Sequence, residues 1–200
     1  MTIIYLLDIL GTFVFAVSGA SKAVKYKLDY FGILTLAIAT GIGGGIIRDL
    51  ALGKSPPVAF SNEIYLLACF LGAVVVILGS RGVIKHRNIV LQADAIGLGV
   101  FCAGGAAKAA SYGLGPIGII MIATVTACGG GMIRDILVRE IPMILERDFY
   151  ASAVILGSLS LVFLRTFGAD ESIQLYIATA LTTLIRLLAI KYKFRLPKVV

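Results

Sequence analysis

Long apolar blocks separated by short polar stretches dominate the 200-residue chain. Seven blocks stand out, at about residues 3–20, 30–52, 64–80, 89–107, 116–138, 149–164 and 173–190. A bilayer core of about 30 Å takes roughly 20 helical residues at 1.5 Å each. Each block therefore predicts a membrane-spanning helix, the third and sixth being the shortest. Too little chain lies between the blocks to build a soluble domain. The expected fold is all-α, a single integral membrane domain over residues 1–200.

Polar residues recur inside the blocks in a fixed pattern. "GIGGGIIRDL" occupies residues 41–50, and "ACGGGMIRDIL" follows at 127–137. A shift of 86 residues lays the two halves on each other without a gap. Asp8 falls on Asp94, Gly11 on Gly97, Phe15 on Phe101, Lys22 on Lys108, Arg48 on Arg134, Asp49 on Asp135 and Pro56 on Pro142. Roughly two positions in five are identical between Asp8 and Pro56. Shared hydrophobicity explains matched leucines and isoleucines, but not matched Asp, Lys, Arg and triple Gly. Each repeat, about 1–80 and about 87–165, holds three spans. An odd number sends the second copy through the membrane from the opposite face, which predicts inverted repeats. A seventh helix at about 172–190 has no counterpart.

The triplets Gly43, Gly44, Gly45 and Gly129, Gly130, Gly131 interrupt otherwise greasy helices. An interior glycine costs about 1 kcal/mol against alanine, and a backbone group freed in a bilayer must find a partner or water. Two readings compete: a helix break lining a wet path, or close packing of helices. The charges that follow favour the first, since ionisable groups inside spans mark function. Depth in the membrane predicts that Asp8 meets Arg48 and Asp94 meets Arg134, with Asp49 and Asp135 as rival partners. A brace that only holds helices together is the other reading of these pairs. Lys22 is expected to snorkel to the interface. Lys108 is harder to explain that way, because it falls on the sparsely charged side.

Composition agrees with the membrane reading. Hydrophobic residues make up 59% and charged residues 14%, against about a quarter charged in soluble domains, and the mean hydropathy is +1.00. The net charge of +7 does not point to nucleic acid. Of the 18 Lys and Arg, only Arg48, Lys54, Lys108 and Arg165 fall on one face. Positive residues mark the cytoplasmic side, which puts the N-terminus outside the cell membrane and the C-terminus in the cytoplasm. The first span lacks the basic leader of a signal peptide, and its copy recurs in mid-chain. Cys69, Cys102 and Cys128 lie in apolar spans without metal-ligand spacing and read as packing residues. The single histidine, His86, sits in a basic loop and reads as solvated. No phosphate-gripping Gly-Lys-Ser/Thr ending follows the glycines. No enzyme, metal or cofactor is expected.

Two copies of Gly-Gly-Gly-x-x-Arg-Asp, in a small chain of two three-helix repeats plus one helix, resemble the prokaryotic TRIC family, homologues of the trimeric intracellular cation channels. The resemblance covers about residues 1–190. The Lys-Glu-Val-type signature of the animal members is missing, and Arg48-Asp49 and Arg134-Asp135 stand in its place, so phosphoinositide binding is not carried over. The resemblance implies a homotrimer in a bacterial or archaeal membrane, in contact with lipid, with a pore for monovalent cations, chiefly K+, in each subunit. It also implies that the second and fifth spans line the pore and kink at the glycines. Freed carbonyls there would face a hydrated cation, with Lys22 and Lys108 beside the path. K+ or Na+ would be the only small partners. A rival reading is a secondary transporter of a small amino acid such as glycine. A bare scaffold ranks last because it leaves the duplicated charges without a purpose.

Overall fold

The computed structural model describes residues 2–80, 82, 88–146 and 149–193. His86, with Arg81, Lys85, Arg87, Arg147, Arg195 and Lys198, lies outside the described residues. The helices are α1 (Thr2–Lys25), α2 (Tyr30–Ala51), α3 (Val58–Ser61), α4 (Ile64–Leu78), α5 (Ile89–Ser111), α6 (Pro116–Leu137), α7 (Met143–Glu146), α8 (Ala151–Thr166) and α9 (Glu171–Tyr192). No strand occurs among the described residues. Among the described residues five helices, α1, α2, α5, α6 and α9, are long and apolar enough to cross a membrane. The third and sixth blocks form α4 and α8, apolar helices of 15 and 16 residues. At 1.5 Å per residue these reach only about 22–24 Å. Large apolar side chains such as Phe31, Leu78 and Ile117 point outward, as a lipid-facing surface requires.

Hydropathy did not predict the one-turn helices α3 and α7. They begin directly after Pro57 and Pro142, and Pro57 is the extended N-cap of α3. Connections on either side duplicate the backbone where the residues differ. Lys27 and Gly113, 86 apart, both have positive φ (55° and 78°), and so do Gly53 and Arg139 (74° and 60°). This region is easy for glycine and costs other residues roughly 1–2 kcal/mol. Gly113→Val, a β-branched residue in that conformation, is therefore expected to lower stability by about 2 kcal/mol. Thermal unfolding in detergent checks this.

Helices α1, α2, α5 and α6 form the core, with α4 against α1 and α2, and α9 against α5 and α8. Two crossings set the geometry, and both are antiparallel. Between α1 and α5, Gly11 faces Phe101 and Gly97 faces Phe15. The two buried rings meet edge-on, with centroids 5.1 Å apart at 61°. Between α2 and α6, a Cβ on Gly44 would fall on the Thr126 carbonyl oxygen, and one on Gly130 on that of Thr40.

These contacts correct one expectation. Helices α2 and α6 run unbroken through both glycine triplets, so no helix break frees carbonyls there. Gly43, Gly44, Gly129 and Gly130 serve the crossing instead, letting two backbones approach where any side chain would hold them apart. The third glycine of each triplet differs. A Cβ on Gly45 would meet only Arg48 Nη2, at 3.7 Å, while one on Gly131 would meet Tyr150 Oη at 2.9 Å, Asp94 Oδ1 at 3.3 Å and Arg134 Nη2 at 3.6 Å. A methyl therefore fits beside Arg48 at position 45, whereas at position 131 it would press on Tyr150 and Asp94.

Candidate functional site

One helical turn beyond each triplet, an arginine turns inward. Arg48 and Arg134 are 1% and 0% exposed and are the largest fully buried side chains among the described residues. Arg48 Nη1 donates to Asp8 Oδ1 at 2.7 Å, and its Nε donates to Asp49 Oδ1 at 3.0 Å. Arg134 repeats this, with Nη1 to Asp94 Oδ1 at 2.6 Å and Nε to Asp135 Oδ1 at 2.9 Å. The neighbouring and cross-helix aspartates, rivals in the sequence, are thus joint partners of one guanidinium.

The lysines tie the two repeats together. Lys108 donates to Asp49 at 2.7 Å, and Lys22 to Asp135 at 3.2 Å. Lys22 is 8% exposed, which corrects the expectation that it snorkels outward. The short helices close each group: Val58 N donates to Asp49 Oδ2 at 2.9 Å and Met143 N to Asp135 Oδ2 at 3.0 Å. The result is two clusters, Asp8–Arg48–Asp49–Lys108 and Asp94–Arg134–Asp135–Lys22. Roughly 20 Å of α1 separates Asp8 from Lys22 at the helical rise, and Phe15 and Phe101 stand between. Removing one member of such a buried pair leaves an uncompensated charge and costs about 3–5 kcal/mol.

Several participants gave little signal in the sequence. Ser18 Oγ accepts from Arg134 Nη1 at 2.6 Å, whereas its counterpart, Gly104, has no side chain. Tyr65 Oη reaches Asp8 Oδ2 at 3.4 Å, and Tyr150 lies against the second cluster. These tyrosines are 85 apart, not 86, so an ungapped alignment misses them. Arg186 of α9, counted with the cytoplasmic-face charges though it falls within the seventh block, is 3% exposed and lies over the Tyr150 ring, 4.8 Å from its centroid.

Glu140 caps the second cluster from the α6–α7 connection. Lys22 and Tyr26 both hydrogen-bond to it, while its counterpart in the first repeat is Lys54. Burial pushes the Glu140 carboxyl up, but the bonds from Lys22 and Tyr26 outweigh it and hold its pKa below the usual glutamate value. The hydrogen bond to Glu140 also raises the Tyr26 phenol to about 12. Stability from Glu140 is therefore complete above its free pKa of about 4.3 and is lost as pH falls through the folded value. Melting curves between about pH 7 and pH 3 should show an acid-side loss in the wild type that Glu140→Gln reduces.

Fold and charges together define a class: an all-helical, multi-pass membrane protein with a buried ion cluster at each of two positions along its core. A family model described as glycine transporter matches residues 5–81 and 91–166. A UPF0126 membrane protein of Vibrio cholerae is 40% identical over 98% of this chain and 82% of its own, and the UPF0126 inner membrane protein YadS of Escherichia coli K12 is 38% identical over 98% and 95%. A crystal structure of the TRIC trimeric intracellular cation channel orthologue from Rhodobacter sphaeroides superposes with a TM-score of 0.92 at 36% identity, covering 97% of this chain and 100% of that one. The chain belongs to the prokaryotic TRIC family.

Proposed function

We propose that the protein is a channel for monovalent cations, K+ among them, with a pore through each subunit of a homotrimer. The observation that carries this reading is the pair of reciprocal clusters at opposite ends of an antiparallel core. Each repeat lends its lysine to the other repeat's arginine–aspartate group. The antiparallel crossings at Phe15–Phe101 and Gly44–Gly130 support two repeats of inverted topology.

The path runs from Asp8, Arg48, Asp49 and Lys108, past the aromatic pair and the small residues of the α2–α6 crossing, to Lys22, Asp94, Arg134 and Asp135. Basic side chains beside a cation path repel permeant ions when unpaired; here a carboxylate screens each one. On this reading the ion pairs close both ends of the path and the Phe15 and Phe101 rings close its centre. Opening requires the pairs to exchange partners with water or ions. The basic loops support an extracellular first cluster and a cytoplasmic second cluster. Structural neighbours described as trimeric cation channels support the trimer.

The family description favours a second reading, a carrier of a small amino acid such as glycine. Two closable ends also suit alternating access. Purified protein in proteoliposomes separates the readings. A channel gives unitary K+ currents and bulk flux down a gradient; a carrier gives saturable glycine uptake with counter-flow and no current steps. Absence of K+ flux at every voltage and Ca2+ concentration tried would remove the channel reading.

A further inference from the structure

We infer that each ion cluster contains a buried water site, built from a tyrosine, an aspartate and an arginine around the third glycine of the triplet. The second cluster shows what the site must satisfy. Asp94 Oδ2, Arg134 Nη2 and the Tyr150 hydroxyl are all buried, and none has a hydrogen-bond partner among the described residues. They belong to residues 0%, 0% and 2% exposed. An orphaned buried polar atom costs about 1–3 kcal/mol, and native cores leave few such atoms unpaired.

The three groups also converge. A Cβ on Gly131 would meet Tyr150 Oη at 2.9 Å, Arg134 Nη2 at 3.6 Å and, at 3.3 Å, Asp94 Oδ1, the carboxylate oxygen beside the unpaired Oδ2, so the three side chains meet around one point. One is a donor, one an acceptor, and the hydroxyl is either. A single water, with two protons and two lone pairs, can serve all three, and buried waters typically make about three hydrogen bonds. A bare cation would meet the guanidinium at the same point and is the poorer fit.

The first cluster supplies an independent observation, room. A cavity lined by Asp8, Thr12, Gly45, Arg48 and Tyr65 gives the centre of a water-sized sphere about 10 Å³, which is what one water needs. Its tyrosine hydroxyl stands 3.4 Å from Asp8 Oδ2, a long contact that a water can supplement.

This inference rests on the channel reading for its purpose. A water already bonded to both members of an arginine–aspartate pair can take over a direct hydrogen bond as the pair parts, so opening starts from a hydrated pair. The test is a high-resolution experimental structure of the full chain, soaked in Tl+, beside Tyr150→Phe and Gly131→Ala. The expected result is a spherical peak within about 3.2 Å of Tyr150 Oη, Asp94 Oδ2 and Arg134 Nη2, without Tl+ anomalous signal. It is lost or weakened in Tyr150→Phe, which keeps the ring beneath Arg186. Gly131→Ala fills the space and is expected to cut K+ flux about tenfold, the scale of one hydrogen bond. No peak, direct bonds among the three groups, a peak with Tl+ signal, or a full peak in Tyr150→Phe overturns the water site. A peak in a protein that carries no K+ current retains the site and removes the channel reading.

Discussion

Replacing Arg48 with Gln is expected to destabilise the protein by about 3–5 kcal/mol, because two buried carboxylates lose their shared cation. Asp49 keeps Lys108 and the Val58 amide, so the worst-placed charge left behind is Asp8, whose remaining contact is the 3.4 Å approach of Tyr65. Asp8→Asn in the same chain should then recover part of the loss. The cycle formed by the two single variants and the double variant should show a coupling of about 1–3 kcal/mol. Unfolding in detergent measures it, and strictly additive effects would contradict the contact. The equivalent cycle at Arg134 and Asp94 should start from a larger loss, because Ser18 also bonds that guanidinium.

The second large effect falls on adjacent glycines with opposite signs. Gly44→Ala puts a methyl on the Thr126 carbonyl oxygen, and neither backbone can yield without separating α2 from α6. Overpacking of this kind costs about 1–3 kcal/mol and occasionally more, so Gly44→Ala is expected at or above the upper end. Gly45→Ala meets nothing nearer than 3.7 Å and gains helix propensity of up to about 1 kcal/mol. Thermal midpoints in one detergent compare the two. Equal losses at both positions would mean that the triplets act as flexible joints rather than as a crossing point.

How much of this was legible in the sequence depends on which physical signal each feature left. The apolar blocks could be read because lipid demands unbroken hydrophobic length, and the five long helices follow them closely. Asp8, Arg48, Asp94 and Arg134 could be read because a duplicated charge inside a span has no hydrophobic explanation. At the triplets, glycine's poor helix propensity and the neighbouring charges favour a break over the close packing that competes with it. Tertiary contact overrides that preference: the second glycine of each triplet is excluded from bearing a side chain by a carbonyl on a distant helix, and no local pattern encodes this.

Other features were hidden by differences between the halves. Tyr65 and Tyr150 drop out of register by one residue after the prolines, and Ser18 and Glu140 have Gly104 and Lys54 as counterparts. Arg186 sits on the helix that was never duplicated. With no copy in the other half nothing singles it out, while its burial against Tyr150 makes α9 a neighbour of the second cluster. The left-handed residues Lys27 and Arg139 are the reverse case, a repeated backbone under unlike side chains.

Thiol labelling tests most directly whether the two clusters are opposite ends of one aqueous path. The background replaces Cys69, Cys102 and Cys128, and single cysteines are placed by Gly45→Cys at the first cluster and Ser18→Cys at the second. Membrane-impermeant reagent is applied to either side of conducting vesicles. Gly45→Cys should react only from the extracellular side and Ser18→Cys only from the cytoplasmic side, each reaction reducing K+ current. Labelling of both from the same side, or of neither while current flows, would contradict the account.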